Sequence, residues 1–180
     1  MIFLLTVTIS QYTIRIRQDG FVESNKAKNL MPTIRNKTVR SKLIERLKKL
    51  STDKKPTWGK MNVHQMVSHL VQAGDLPFSD SLPDKSNFFS RTFIKPVILY
   101  VLPMPKDVKT SPEMDQQEKG REPQEFNADI DRVIHSINRL GDLPVDQDCK
   151  HHPFFGKMSA KEWAVIAHKH IDHHLKQFGA

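Results

Sequence analysis

The sequence predicts an all-α protein, a bundle of about five helices that follows a short N-terminal extension. Two observations lead to this fold class. Between residues 36 and 178, apolar residues recur in five segments at the three- and four-residue spacing of amphipathic helices. In the same range, no segment alternates apolar and polar residues convincingly, as a strand would. The chain of 180 residues is long enough for one domain with a substantial core and a tail.

Residues 1–30 differ in character from the rest of the chain. Residues 1–5 are apolar, but no positive residue precedes them and no small-residue cleavage site follows, so we do not expect a signal peptide. Residues 6–17 alternate in part, as a strand does. We interpret residues 1–30 as an extension, either disordered or forming a short strand pair packed on the bundle. Residues 31–180 are then the helical domain.

The second predicted helix carries two histidines. The first helix, over residues 36–50, has an apolar stripe among basic residues. Asn62 then caps the second helix, with Gln65 three residues later. His64 and His69 lie on opposite borders of its apolar stripe, so their side chains point in different directions. Periodicity alone does not show which of the two is a site residue.

Two further helices precede the last one. Residues 87–102 are strongly apolar and predict a third helix that belongs to the core, with a kink at Pro96. This segment is too short and too charged to span a membrane. Residues 125–140 have apolar residues at regular helical spacing, and Gly141 is expected to end that helix. A long polar connection, over residues 103–123, separates the two; connections of this length are often functional or mobile.

The last helix carries the most informative polar residues. Ser159 and Glu162 form a capping box, which predicts that a helix begins there. His170, His174 and Gln177 lie inside its apolar arc, and burying imidazoles without partners costs several kcal/mol. The two histidines are therefore either hydrogen-bonded core residues or two ligands of one metal ion. The zinc-protease motif has the same spacing, but Ile171 stands where that motif has its Glu, which excludes a metalloprotease.

The charge of the chain is unevenly distributed. The formal net charge is +8, of which residues 1–60 carry +10 (14 Lys/Arg against 4 Asp/Glu) and residues 61–180 carry −2 (14 against 16). The basic first third could contact nucleic acid or an anionic surface, but a solvated basic face explains it more simply. The single cysteine, Cys149, excludes an internal disulfide and fits a reducing compartment.

Two motifs give the chain a family resemblance. Trp58 is followed by NVHQMVSHLVQAGD at residues 62–75, and an H-x-x-H-H-L-x-Q motif lies at residues 170–177. Together with the helix order, these resemble the DinB-like superfamily of metal-binding four-helix bundles. The segment at residues 152–179, HPFFGKMSAKEWAVIAHKHIDHHLKQFG, is similar to an uncharacterised subgroup of it. The resemblance extends from about Arg35 to Gly179 and implies a DinB-like four-helix bundle.

The resemblance also implies a divalent-metal site of three histidines. The His-Leu pair of the second helix supplies His69, and the H-x-x-x-H of the last helix supplies His170 and His174. We expect zinc, with nickel or iron as alternatives, because three imidazoles suit each of these metals. Three further residues are candidates for contacts around the ion or with substrate: His152, His173 and Gln177.

Three histidines with a vacant position are typical of catalytic rather than structural zinc sites. The resemblance implies a metal and an open site rather than one reaction, and because some members of the superfamily are thiol transferases or hydrolases, the leading hypothesis is a metal-dependent transferase or hydrolase that activates a thiol or a water molecule. The expected partner is a small-molecule substrate, such as a low-molecular-weight thiol, and a homodimer is consistent with the family. We expect a cytoplasmic protein that binds neither nucleic acid nor a membrane. The alternative is a non-catalytic bundle that binds metal or acts as an interaction or stress-response module.

Overall fold

The computed structural model describes residues 5–9, 12–16, 22–26, 31–106, 108 and 110–180. Its contacts divide the chain into two compact units, Met1–Met31 and Pro32–Ala180. The described residues of the first unit form an antiparallel sheet of three strands, each paired with the next, where the sequence suggested a strand pair. Of the apolar segment at residues 1–5, only Leu5 lies within the described residues. The strands are β1 (Leu5–Ile9), β2 (Tyr12–Ile16) and β3 (Val22–Lys26).

The second unit is an all-α bundle, which confirms the predicted fold class. Its helices begin where the sequence places capping residues. The Asn62 and Ser159 side chains each accept a hydrogen bond from the backbone N–H three residues on, and Gln65 and Glu162 complete the two capping boxes. Asn36 caps the first helix in a similar way. The α-helices are α1 (Lys37–Lys48), α2 (Val63–Asp75), α3 (Phe126–Gly141) and α4 (Ala160–Gln177).

The core lies between the four α-helices. α2 packs along α3, and α1 packs against α3 and α4. Gly141 is the last residue of α3 rather than the stop beyond it, and Asp142 caps the helix in a right-handed conformation. A Cβ at Gly141 would lie 2.4 Å from an Arg40 guanidinium nitrogen and 2.8 Å from the Ile34 carbonyl oxygen, so close packing requires glycine there. The largest fully buried apolar side chains are Ile34, Leu43, Leu47, Met66, Leu99, Met158, Leu175 and Phe178.

The third predicted helix exists, but its predicted place in the core is wrong for most of its large apolar residues. Two π-helical segments, Ser90–Ile94 and Val97–Val101, flank Pro96, and we call residues 88–101 the π-helical stretch. Leu99 is fully buried, whereas Phe88 is 76% exposed. The stretch is rich in apolar residues but packs mainly on α4, so only one side is covered by the described residues. Other large apolar residues of the stretch that are exposed are Phe89, Phe93, Val97, Tyr100 and Val101.

None of the described helices has the length and apolar character that crossing a membrane requires.

Candidate metal centre

Three imidazole rings meet between α2 and α4. His69 projects from α2, and His170 and His174 lie one turn apart on α4. The Nε2 atom of His170 lies 3.1 Å from Nε2 of His69 and 3.1 Å from Nε2 of His174. The potential ligand atoms of the three residues lie within 4.8 Å of one another. The structure therefore brings together the three histidines predicted as ligands, and their binding of a metal stays a prediction.

A backbone carbonyl fixes the orientation of His69. Its Nδ1–H donates a hydrogen bond to the carbonyl oxygen of Met114, at 3.2 Å. A carbonyl oxygen can only accept, so Nδ1 of the neutral ring carries the proton and Nε2 keeps its lone pair. Metal-ligating histidines commonly donate their other ring N–H in this way.

A side-chain amide fixes the orientation and the tautomer of the His174 ring in the same way. The Nδ1–H of His174 donates to Oε1 of Gln177, at 2.8 Å, and the Gln177 Nε2 group donates to the carbonyl oxygen of Trp58, at 2.7 Å. The Trp58 carbonyl accepts only, so it sets which end of the amide faces the imidazole. Nε2 of His174 is therefore also an unprotonated nitrogen that points toward His170.

These bonds leave the centre rich in lone pairs. Nε2 of His170 can carry at most one proton in a neutral ring, and it can donate that proton to only one of its two neighbours. At least one of the three Nε2 lone pairs therefore faces another ring nitrogen with no hydrogen atom between them. A divalent cation would satisfy all three lone pairs at once. The donor set therefore fits an ion such as Zn²⁺, which binds neutral imidazoles.

The three rings are neutral at pH 7. Burial lowers the pKa of His69 to about 4 and that of His174 to about 3. The pKa of His170 is lowered well below its ordinary value, first by burial and then by the imidazoles of His174 and His69. Neutral imidazoles are the protonation state that metal binding requires, so protons do not compete with a metal near neutral pH.

The long connection before α3 supplies the carbonyl that orients His69. Gln72 on α2 donates to the carbonyl oxygen of Glu113 at 2.8 Å, and Ser68 donates to that of Arg121 at 2.7 Å. The Arg121 guanidinium in turn donates two hydrogen bonds, at 2.8 and 2.9 Å, to the buried carboxylate of Asp129 on α3. Residues 111–121 are thus held against α2 at both ends.

Two other candidate histidines lie beside the centre rather than in it. The ring of His173 lies 5.2 Å from that of His174 and 5.6 Å from that of Trp58, between centroids. His152 lies in the loop before α4 and packs on Trp163, at 5.1 Å. Among the described residues, the group that could hold a metal contains neither of them. Gln177 contacts the centre through its hydrogen bond to His174.

The remaining singled-out residues lie elsewhere. His64 packs on Phe126 at 5.0 Å and lines a separate open cleft of about 520 Å³, so the structure separates it from His69 as the divergent spacing requires. Cys149 is a free, half-buried cysteine, and burial raises the pKa of its thiol. In the part of the chain that the structure describes, it does not join the three histidines.

Sequence reasoning missed the two backbone carbonyls that orient the ligands. Met114 and Trp58 contribute through main-chain oxygens, which every residue type has, so no residue pattern could have identified them. The only available signal was the length of the connection over residues 103–123.

Comparison with known protein families gives a match over most of the chain. The model of a family described as a protein of unknown function, DUF1569, matches residues 35–180. Neither the curated proteins nor the solved structures contain a match.

Proposed function

Because the chain belongs to the DUF1569 family, within the DinB-like metal-binding helical superfamily, we propose that it is a metal-dependent transferase or hydrolase. Its substrate is a small electrophile, and the nucleophile is a thiol or a water molecule. His69, His170 and His174 hold the ion, which is zinc in the first instance. One observation carries the proposal: Met114 and Gln177 fix two of the rings so that their Nε2 lone pairs converge on His170.

The donor set supports a reactive rather than a purely structural ion. Structural zinc sites usually have four protein ligands, whereas catalytic sites have three and a position for water or substrate. Among the described residues, the group holds three ligands and no carboxylate or thiolate. When bound, a divalent ion lowers the pKa of a thiol or water molecule that coordinates it, and so supplies a nucleophile near neutral pH.

The residues around the ligands support one further role in this proposal. Gln177 and the Met114 carbonyl keep the Nδ1–H groups occupied, which leaves only Nε2 for the ion. Trp58 packs on His173, the neighbour of His174, and the buried Trp163 packs on His152.

The test measures metal content and reactivity together. Protein purified without chelator or a histidine tag should contain about one divalent ion per chain, and the His170→Ala/His174→Ala variant should contain almost none. Zinc-loaded protein is then assayed with a low-molecular-weight thiol and a chloronitroaromatic electrophile, and with an activated ester for hydrolysis. At least one reaction should proceed with the wild type and fall to background in the variant.

His168→Ala is the matched control, because His168 lies on α4 but outside the group of three. It should retain both metal and activity. Stoichiometric metal without either reaction would favour a non-catalytic metal-binding bundle. If the wild type binds no divalent metal even after reloading, the metalloenzyme proposal is wrong.

A further inference from the structure

The π-helical stretch exposes a continuous apolar surface. The rings of Phe88 and Phe89 lie 6.4 and 5.4 Å from that of Phe93, between centroids, so the three rings form one cluster. Val97 and Val101 follow Phe93 at intervals of four residues, which is about one helical turn. We call this surface the aromatic face, and its exposed residues are Phe88, Phe89, Phe93, Val97, Tyr100 and Val101.

The aromatic face is large for the surface of one domain. Its residues are exposed by fractions that range from 39% at Val97 to 76% at Phe88. With about 200 Å² for each aromatic side chain, its four rings alone expose roughly 500 Å². The largest apolar patch on a typical monomer measures about 300–600 Å² and often marks a contact with a protein or a membrane. We therefore expect the aromatic face to have a partner.

Helix α4 holds the stretch in place. Lys95 forms an ion pair with Glu162 at 3.1 Å, and the ammonium group of Lys169 donates to the carbonyl oxygens of Ile98 and Leu102. These carbonyls lie at the C-terminal end of the stretch, where a helix has no backbone partners of its own for them. The aromatic face therefore has a fixed support, and the backbone at this end does not need a partner from an apolar environment.

The charge of the same segment has one sign. Residues 85–106 contain four Lys or Arg and no Asp or Glu, whereas the rest of residues 61–180 contains 10 of the 14 cationic residues and all 16 acidic ones. Arg91 lies 3.3 Å from Asp84, and Lys85 lies 3.9 Å from Glu113, yet 53% and 55% of the two cationic side chains stay exposed. Because exposed ion pairs contribute little to stability, both cations can bind another anion at small cost.

A second copy of the chain does not complement this face. A dimer with twofold symmetry places the same surface of each copy in contact. Arg91 and Lys85 would then approach their counterparts, and residues 85–106 offer no acidic side chain to pair with them. An anionic lipid surface complements both properties of the segment, because its acyl chains accept aromatic rings and its phosphates accept cations.

We propose that the aromatic face binds the surface of an anionic lipid bilayer. Phe88, Phe89 and Phe93 enter the boundary between headgroups and acyl chains, and Lys85 and Arg91 contact lipid phosphates. This contact is peripheral and needs no spanning helix. It differs from the expectation drawn from the sequence, in which residues 87–102 belong to the core and the chain binds no membrane. The inference concerns where the protein works and is independent of the metal and of the reaction.

The first test measures binding of the full chain to vesicles by flotation. Vesicles that contain equal amounts of phosphatidylglycerol and phosphatidylcholine are compared with vesicles of phosphatidylcholine alone. The wild type should bind the anionic vesicles about tenfold more tightly or better. Sodium chloride at about 1 M should remove most of this difference, because it screens the charge of the headgroups.

Substitutions then assign the binding to the aromatic face. Phe88→Ser/Phe89→Ser removes two exposed rings and should weaken binding by about tenfold or more. Its control is Val145→Ser, which changes an apolar residue of similar exposure after α3. Lys85→Gln should weaken binding about fivefold, the usual effect of one cation near an anionic bilayer. Its control is Lys42→Gln, at an exposed position of α1, which should change binding far less.

The second test reports whether the face reaches the acyl chains. Phe89→Trp places an indole on the aromatic face, and Val145→Trp places one at the control position. Lipids that are brominated on their acyl chains quench the fluorescence of an indole beside them. Quenching should exceed that of the wild type, which contains Trp58 and Trp163, for Phe89→Trp and not for Val145→Trp.

The proposal is overturned if the wild type does not bind anionic vesicles, or if it binds neutral vesicles equally well. Binding that Phe88→Ser/Phe89→Ser leaves unchanged would also overturn it, because another basic part of the chain would then make the contact. Sedimentation equilibrium tests the remaining occupant. Self-association of the wild type that this variant abolishes, without any binding to vesicles, would assign the face to a second copy instead.

Discussion

At the scale of single residues, Gln177 connects a backbone carbonyl to a candidate ligand. Its amide oxygen accepts from Nδ1–H of His174, and its amide nitrogen donates to the Trp58 carbonyl. The side chain is buried, so water does not take over either bond when the side chain is shortened. Gln177 should therefore affect metal binding without touching the ion.

Replacing Gln177 by Leu should lower zinc affinity by roughly ten- to a hundredfold, which is the usual effect of removing a partner that orients a ligating histidine. Gln177→Glu keeps an acceptor for Nδ1–H of His174 and should lose less affinity than Gln177→Leu. Zinc affinity is measured by competition with a chelating dye, and circular dichroism checks that each variant is folded. Equal affinity for the wild type and Gln177→Leu would mean that this bond does not position His174.

The residues of the site differ in how far the sequence could identify them. His170 and His174 are visible as polar residues one turn apart inside an apolar arc. His69 and His64 border the same stripe of α2, so only the family resemblance favoured His69, and the structure places it with the other two. The proton positions depend on the Met114 and Trp58 carbonyls, which are set by the path of the chain and not by residue type.

At the scale of elements, the buried Arg121–Asp129 ion pair holds the connection that orients His69. Burial raises the pKa of Asp129, but hydrogen bonds from Arg121 and the Gln124 backbone outweigh it, and the pKa lies below its ordinary value. The carboxylate is therefore charged at neutral pH. The carbonyl of Met114 lies within the segment that this pair and the bonds from α2 hold in place.

Replacing Asp129 by Asn should destabilise the protein by about 2 to 4 kcal/mol, because it leaves the largely buried guanidinium of Arg121 without its counter-charge. It should also lower zinc affinity several-fold, since the Met114 carbonyl loses its support. The measurements are urea unfolding, zinc competition and hydrogen exchange of residues 111–121. Asp131→Asn, at an exposed position of α3, is the control and should change neither property. A loss of stability with unchanged zinc affinity would show that the connection does not orient His69.

Helices whose ends carry capping residues were predicted well, whereas the π-helical stretch was not. Asn62 and Ser159 mark the starts of α2 and α4 because their side chains satisfy backbone N–H groups locally. The burial of residues 88–101 depends instead on which elements lie beside them. An apolar sequence records that a segment can be buried but not on how many sides neighbours cover it. The interior position of Pro96, which lacks an N–H, fits the departure from α-helical bonding there.

At the scale of the whole molecule, the buried histidines make stability depend on pH. Burial lowers the pKa of His69 and His152 to about 4 and that of His174 to about 3, whereas an unfolded histidine has a pKa of about 6.5. Between these values the unfolded chain binds more protons than the folded one, so the free energy of unfolding rises with pH. This stabilisation is complete above pH about 6.5 and is lost as the pH falls from there toward 4.

Without metal, the free energy of unfolding should therefore decrease steadily from pH about 6.5 to pH about 4, with more than one proton taken up per chain on unfolding. Urea titrations at half-unit pH intervals measure this slope. Carboxylates with lowered pKa values, such as Asp129, give a slope of the same sign but mainly toward the acid end of this window, so the histidines account for the slope nearer pH 6. His174→Gln, which cannot be protonated, should reduce the slope by up to one proton, whereas His135→Gln, at an exposed position of α3, should change it far less. Stability that does not change between pH 6.5 and 4 would mean that the histidine rings are hydrated in the folded protein. A dry, neutral three-histidine centre would then be excluded.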